Sequence, residues 1–102
     1  MDLKIIFIYC LCDDVLKLLS IKDDSQCQMR TAEIMTVGVV AALFHGGNIA
    51  AARRFLKLCN YIPNILSHSR LHRRLMAIPS DVWETIFAIL KETLNTLFPT
   101  TE

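Results

Sequence analysis

Four cysteines, three histidines and two adjacent aspartate pairs are the side chains in this sequence of 102 residues whose types and spacing could do chemistry. Cys10-x-Cys12, together with His68 and His72 four positions apart, offers two half-motifs for zinc. C-x-C is not the spacing of a zinc knuckle, and nothing in the sequence draws the halves together, so no metal ligand is assigned. Asp13-Asp14 and Asp23-Asp24 do not make a nuclease site. Metal-dependent phosphoryl transfer needs carboxylates that converge from separate elements, and neighbours on one strand or helix diverge. Cys59 has no base at a recognisable spacing. Gly46-Gly47 lacks the G-x-G or GKS/T context of a phosphate loop and joins two helical patterns rather than a strand to a helix. The sequence thus carries no catalytic set and no cofactor of its own, and the chain is expected not to be an enzyme.

Its cations are more informative. Between Ile34 and Ser80 there is no carboxylate, while Arg53, Arg54, Lys57, Arg70, Arg73 and Arg74 supply six positive charges. The flanks compensate: residues 1–33 hold six acids against four bases, and residues 81–102 hold four acids against Lys91, for a formal net charge of +1. Such asymmetry points to an anionic partner for the middle of the chain. A solvated basic face balanced by acidic ends is the alternative.

These cations must be positioned by helices. Thr31 to His45 is apolar in every direction from Ile34 to Phe44, with Thr31 as expected N-cap, Glu33 in the first turn and Gly46 as the left-handed residue beyond its end. A helix apolar all round is buried or in a membrane. Asn48 caps the next pattern, in which Ile49, Ala52, Phe55, Leu56 and Cys59 face one way and Arg53, Arg54 and Lys57 the other. Asn60 to Leu66, broken by Pro63, is a link. Ser67 caps a third pattern from His68 to Ile78, with Leu71, Leu75 and Ile78 opposite Ser69, Arg70, Arg73 and Arg74. After Pro79, Ser80 caps a final helix whose stripe of Trp83, Ile86, Phe87, Leu90, Leu94 and Leu97 needs a partner surface. Upstream, Asp2 to Leu19 reads as a helix with one wet edge, in competition with the strand propensity of Ile5 to Tyr9. Ser20 to Arg30 reads as a loop in which Asp23-Asp24 is merely solvated, and Pro99 with Thr100 to Glu102 closes the chain. The expectation is an all-α, compact bundle of about five helices in one domain, with a trihelical helix-turn-helix-like middle.

In that middle, two basic helices on one core can face a duplex, cations fixing register on phosphates and the start of one helix reaching base edges. The DNA-contacting candidates are Arg53, Arg54, Lys57, Ser69, Arg70, Arg73 and Arg74. The link of seven residues is longer than the three or four of the tight turn. The run TAEIMTVGVVAALFHGGNIAAARRFLKLCNYIPNILSHSRLHRRL, with the upstream IYCLCDD and the downstream helix, resembles the N-terminal region of transposases of the insertion sequence 982 group. The resemblance spans most of residues 5–98. It implies a DNA-handling region that precedes an RNase H-like domain with a DDE carboxylate set, where Mg²⁺ would act. In that family the first catalytic Asp follows a segment like LFPTTE, so none of the family's catalytic residues falls on these 102 positions. The expected role is that of a truncated, catalytically inert N-terminal fragment that binds double-stranded DNA in transposition.

The apolar fraction of 53% and mean hydropathy of +0.38 require either a membrane or apolar surface meant for a partner. That partner is expected to be the missing catalytic domain or a second copy docked through Trp83 to Leu97. Ile5 to Cys12 is a short apolar run with only Lys4 before it and no small-residue cleavage site, so no secretory signal is read and reduced thiols in the cytoplasm are expected. Two alternatives remain. One is a small membrane protein spanning through residues 34–52, nineteen uncharged positions interrupted near the end by His45-Gly46-Gly47-Asn48. The other is an interaction module whose basic face meets an acidic protein.

Overall fold

The computed structural model describes residues 3–23 and 28–97, apart from the side chains of Leu94 and Leu97. The expectations for Asp24, Cys27 and the Pro99 to Glu102 close lie outside the described residues. Five helices follow one another: α1 (Leu3–Leu18), α2 (Thr31–Phe44), α3 (Ile49–Leu58), α4 (His68–Ala77) and α5 (Ser80–Leu97). No strand occurs among the described residues, so Ile5 to Tyr9 is helical despite its β-branched content.

The apolar all-round helix is the centre of the bundle. Ile34, Met35, Val37, Val39, Val40 and Ala41 of α2 are completely enclosed. The cover comes from α1, α3 and α4 packed against α2, and from α5 packed along α1. From α1 come Ile5, Ile8, Cys12, Val15 and Leu16, and from α5 Val82, Ile86 and Leu90. Val82, Ile86 and Leu90 of α5 thus meet the chain's own core, while the Leu94 and Leu97 side chains of the apolar stripe lie outside those described. Phe87 of the same stripe is 36% exposed. The sequence pattern marks the stripe but not the neighbour that covers it.

Trp83 of the same helix packs where α2 has no side chain. A Cβ on Gly38 would lie 2.6 Å from Trp83 Cη2 and 3.2 Å from Leu75 Cδ2. Glycine here is a matter of close approach, since the indole occupies the space a methyl would fill.

The caps agree with the sequence at three ends and depart from it at two. Asn48 and Ser67 accept the Ala51 and Arg70 N–H groups at 3.0 and 3.4 Å, as expected of N-caps. Gly46 is left-handed at φ +59°, and the Ala41 carbonyl takes both the His45 and the Gly47 N–H. At the head of α2, however, Thr31 is the first helical residue and Arg30 holds the cap position. Arg30 has no side-chain acceptor, so Asp23 supplies one from eight residues upstream. Its carboxylate accepts the Thr31 N–H at 2.8 Å and the Thr31 hydroxyl, while Glu33 turns back to the Arg30 N–H at 2.9 Å. Asp23 is therefore a capping residue and not simply solvated. Likewise α5 begins at Ser80 itself, and the Pro79 carbonyl accepts from Val82 and Trp83.

Helices α1 and α3 end alike, on a residue in the left-handed region. Ser20 at φ +58° sends its N–H to Lys17, and the Ile21 N–H goes to Leu16 at 2.9 Å. Asn60 at φ +61° sends its N–H to Lys57, and the Tyr61 N–H goes to Leu56 at 3.0 Å. Both are the paired closing bonds that satisfy the last carbonyls of a helix.

Candidate nucleic-acid interface

The six cations divide into two groups once the helices are packed. Helix α3 buries Ala52 and Leu56 and α4 buries Leu71 and Leu75, and the two helices pack against each other. On the faces turned away from those residues Arg54 and Lys57 of α3, and Ser69, Arg70 and Arg73 of α4, are exposed. Among the described residues the ion pairs are Lys17–Asp13 at 2.9 Å and Arg74–Asp23 at 4.0 Å, so the four exposed cations are in neither. They sit within a stretch of sequence that has no carboxylate.

Arg53 and Arg74, the other two, are half-buried and turned inward. Arg53 Nε donates to the Leu66 carbonyl at 2.8 Å, just before α4 begins. Arg74 Nη1 donates to the Met29 carbonyl at 3.1 Å, with Nη2 facing the Asp23 carboxylate. Both guanidiniums satisfy loop carbonyls that helix or sheet would otherwise satisfy. Around them the link between α3 and α4 is fastened to the segment before α2: Gln28 Nε2 donates to the Asn64 carbonyl at 3.3 Å and the Leu66 N–H to Met29 Sδ at 3.2 Å. Met29 is 0% exposed. Sequence reasoning passed over it, because a methionine in a polar loop carries no pattern.

Two further features border these helices. His68 and His72 stack with ring centroids 6.5 Å apart and planes 7° from parallel, on the exposed part of α4. Between α4, α5 and the start of α3 lies an open apolar cleft of about 280 Å³, bounded by His72, Leu75, Met76, Trp83 and Phe87. Its lining holds no charged side chain.

The remaining chemistry-bearing residues are dispersed. No three His, Cys, Asp or Glu among the described residues come together as a metal-holding group. Cys10 and Cys59 are exposed and free, and Cys12 is buried. Burial pushes the Cys12 thiol up to about 12, against the opposing hydrogen bond with Thr36, so it stays protonated and is no nucleophile at neutral pH. Tyr9 is also raised, first by burial and then by the charges of Asp13 and Glu33. No single helix among the described residues is long and apolar enough to cross a membrane, and the pair α2 and α3, which would be long enough together, is bent by 112°. No protein-family model matches this chain, and neither a curated protein nor a solved structure does.

Proposed function

We propose that this chain binds double-stranded DNA through the outer faces of α3 and α4, as the DNA-binding N-terminal fragment of an insertion-sequence transposase. The observation that carries the DNA reading is the set Arg54, Lys57, Arg70 and Arg73. These are four exposed cations on two successive capped helices, without a partner carboxylate among the described residues. Cations so placed neutralise phosphates and gain by releasing counterions. The buried α2 followed by α3 and α4 is the order of a helix-turn-helix, and Ser69, Arg70 and Arg73 occupy the first two turns of α4, where recognition helices meet base edges. The transposase assignment rests on the resemblance of residues 5–98 described above. On this reading the fragment is inert alone, with Mg²⁺ chemistry left to a DDE domain outside it.

The test is a titration of labelled duplex by fluorescence anisotropy at several salt concentrations. If Arg54, Lys57 and Arg73 meet phosphates while Arg70 reads bases, the slope of log K against log salt is about −2.7, a roughly 40-fold loss of affinity between 50 and 200 mM. Lys57→Ala weakens all sequences alike, and Arg70→Ala reduces discrimination among them. Salt-insensitive binding, or an acidic protein that outcompetes any duplex, overturns the DNA reading. Nicking of supercoiled plasmid by the pure protein with Mg²⁺ overturns the inert reading.

A further inference from the structure

We propose that Arg74, with Arg53 and Met29, positions α4 and does not touch DNA: the three form a brace that sets the angle at which α4 is presented. The inference deepens the DNA-binding reading and, for its binding arm, rests on it. Its ground is a continuous set of bonds. The Leu66 carbonyl is taken by Arg53 Nε and the Leu66 N–H by Met29 Sδ, so the residue that leads into α4 is held on both sides. The Met29 carbonyl is taken by Arg74 Nη1, seven residues into α4, so the same methionine also holds the second half of that helix. Met29 is in turn fixed to the head of α2. Asp23 caps Thr31 and faces Arg74, and Glu33 holds the Arg30 N–H. The approach of α4 is thereby referred to the buried central helix and not to the link of residues 60–66.

Charge gives the second line of argument. Among the described residues Arg74 is the one cation of the basic stretch in an ion pair with a carboxylate, so the pair with Asp23 is close to neutral and releases no counterion from a phosphate. A contacting arginine and a positioning arginine thus differ in an observable way. Loss of a phosphate contact lowers the salt slope by about 0.9, whereas loss of orientation lowers affinity at every salt concentration and leaves the slope as it was.

The experiment compares the full chain with Arg74→Met, which keeps the apolar stem but donates nothing, with Arg74→Lys, which restores one donor, and with Arg73→Ala as the contact control. Two readouts are taken at a temperature where each variant is folded by circular dichroism. In hydrogen exchange, Arg74→Met is expected to speed exchange of the Leu71 and Leu75 amides of α4 while Val37 and Val40 of α2 stay protected, and Arg74→Lys to restore much of the protection. In duplex binding, Arg74→Met is expected to lose about tenfold in affinity, the worth of one hydrogen bond from a charged donor, with the parent's slope, while Arg73→Ala flattens it. Protection of α4 unchanged in Arg74→Met overturns the brace, and so does a slope reduced as much as by Arg73→Ala, which would make Arg74 a phosphate contact. If Arg74→Met does not fold, the same two criteria apply to Met29→Leu, which fills the same space but gives the Leu66 N–H no acceptor. Failure of the parent to bind any duplex refutes the DNA reading alone, and the exchange arm still decides the brace.

Discussion

A methyl group added at Gly38 sets two effects of similar size against each other. In a helix interior alanine is favoured over glycine by about 1 kcal/mol. Against this, the new Cβ lies 2.6 Å from Trp83 Cη2 and 3.2 Å from both Trp83 Cζ3 and Leu75 Cδ2, well inside contact distance for the first. Overpacking a core position costs about 1–3 kcal/mol. Which wins depends on what can move. Leu75 of α4 is buried, but Trp83 is half-buried and borders the open cleft of about 280 Å³. The indole therefore swings outward and does not force α2 and α5 apart, which puts the cost in the middle of its range. The net result for Gly38→Ala is a destabilisation of about 1 kcal/mol, a fall in Tm of about 5 °C for a chain of this length. Trp83 is the sole tryptophan, so its emission reports the move directly, and a shift to longer wavelength should accompany the loss of stability. Trp83→Phe in the same background removes the clashing atoms and should recover part of the loss. A Gly38→Ala variant as stable as the parent, with unchanged emission, would show that the indole is not packed on α2 at all and refute the reasoning.

Alkaline pH should destabilise the fold through Cys12. Its folded-state thiol is raised from 9.0 to about 12, so its contribution is fully present below pH 9 and is lost progressively between pH 9 and 12, with a slope of at most about 1.4 kcal/mol per pH unit. Denaturant titrations of Cys12→Ala should show a weaker stability overall but a flatter decline over that window, and an identical decline would refute the assignment. At the end of α1, Ser20 holds a left-handed conformation that costs a non-glycine residue about 1 kcal/mol, partly offset by the greater freedom glycine gives the unfolded chain. Ser20→Gly should therefore stabilise the protein by about 0.5 kcal/mol in thermal unfolding, and a loss of stability counts against the geometry of that turn.

What could be read from sequence was what depends on neighbours within a turn or two. The burial of α2 followed from its uniform apolarity, the Gly46 turn and the Asn48 and Ser67 caps from local chemistry, and the outward cations of α3 and α4 from their spacing of three and four. Apart from the local shift at Ser80, the departures involve contacts beyond one helical turn. Asp23 caps α2 over eight residues, Arg74 reaches Met29 over forty-five, and Arg53 reaches a carbonyl thirteen positions away. Angular position alone placed Arg53 and Arg74 with the other cations. A helical wheel does not register a loop carbonyl in need of a donor. For the same reason nothing local marks Gly38, since the indole that requires it lies on another helix.

Enclosure accounts for part of the high mean hydropathy. Helix α2 contributes the densest apolar run of the chain, and four other helices leave its core positions with no access to solvent. Thr31 and Glu33 at its start are half-buried and Ala42 to Phe44 at its end are exposed, and both ends are joined to hydrogen-bonded loops: Asp23 and Glu33 at one, the Ala41 carbonyl and left-handed Gly46 at the other. A bilayer core would leave such irregular backbone unsatisfied unless protein enclosed it. Large apolar side chains that stay exposed include Leu3, Ile6 and Leu18 on α1, Leu43 and Phe44 on the last turn of α2, Leu58 at the end of α3, Met76 near the end of α4 and Phe87 on α5. Two of them, Met76 and Phe87, rim the cleft that gives Trp83 room to move. The apolar surface and the cationic surface thus share α4: Leu71 and Leu75 hold it to the core, Met76 borders the cleft, and Ser69, Arg70 and Arg73 face solvent. With Leu71 and Leu75 as the two buried side chains that anchor ten residues, α4 depends on the hydrogen bonds of Arg53, Met29 and Arg74 for its orientation. That is why two of the six cations are turned inward.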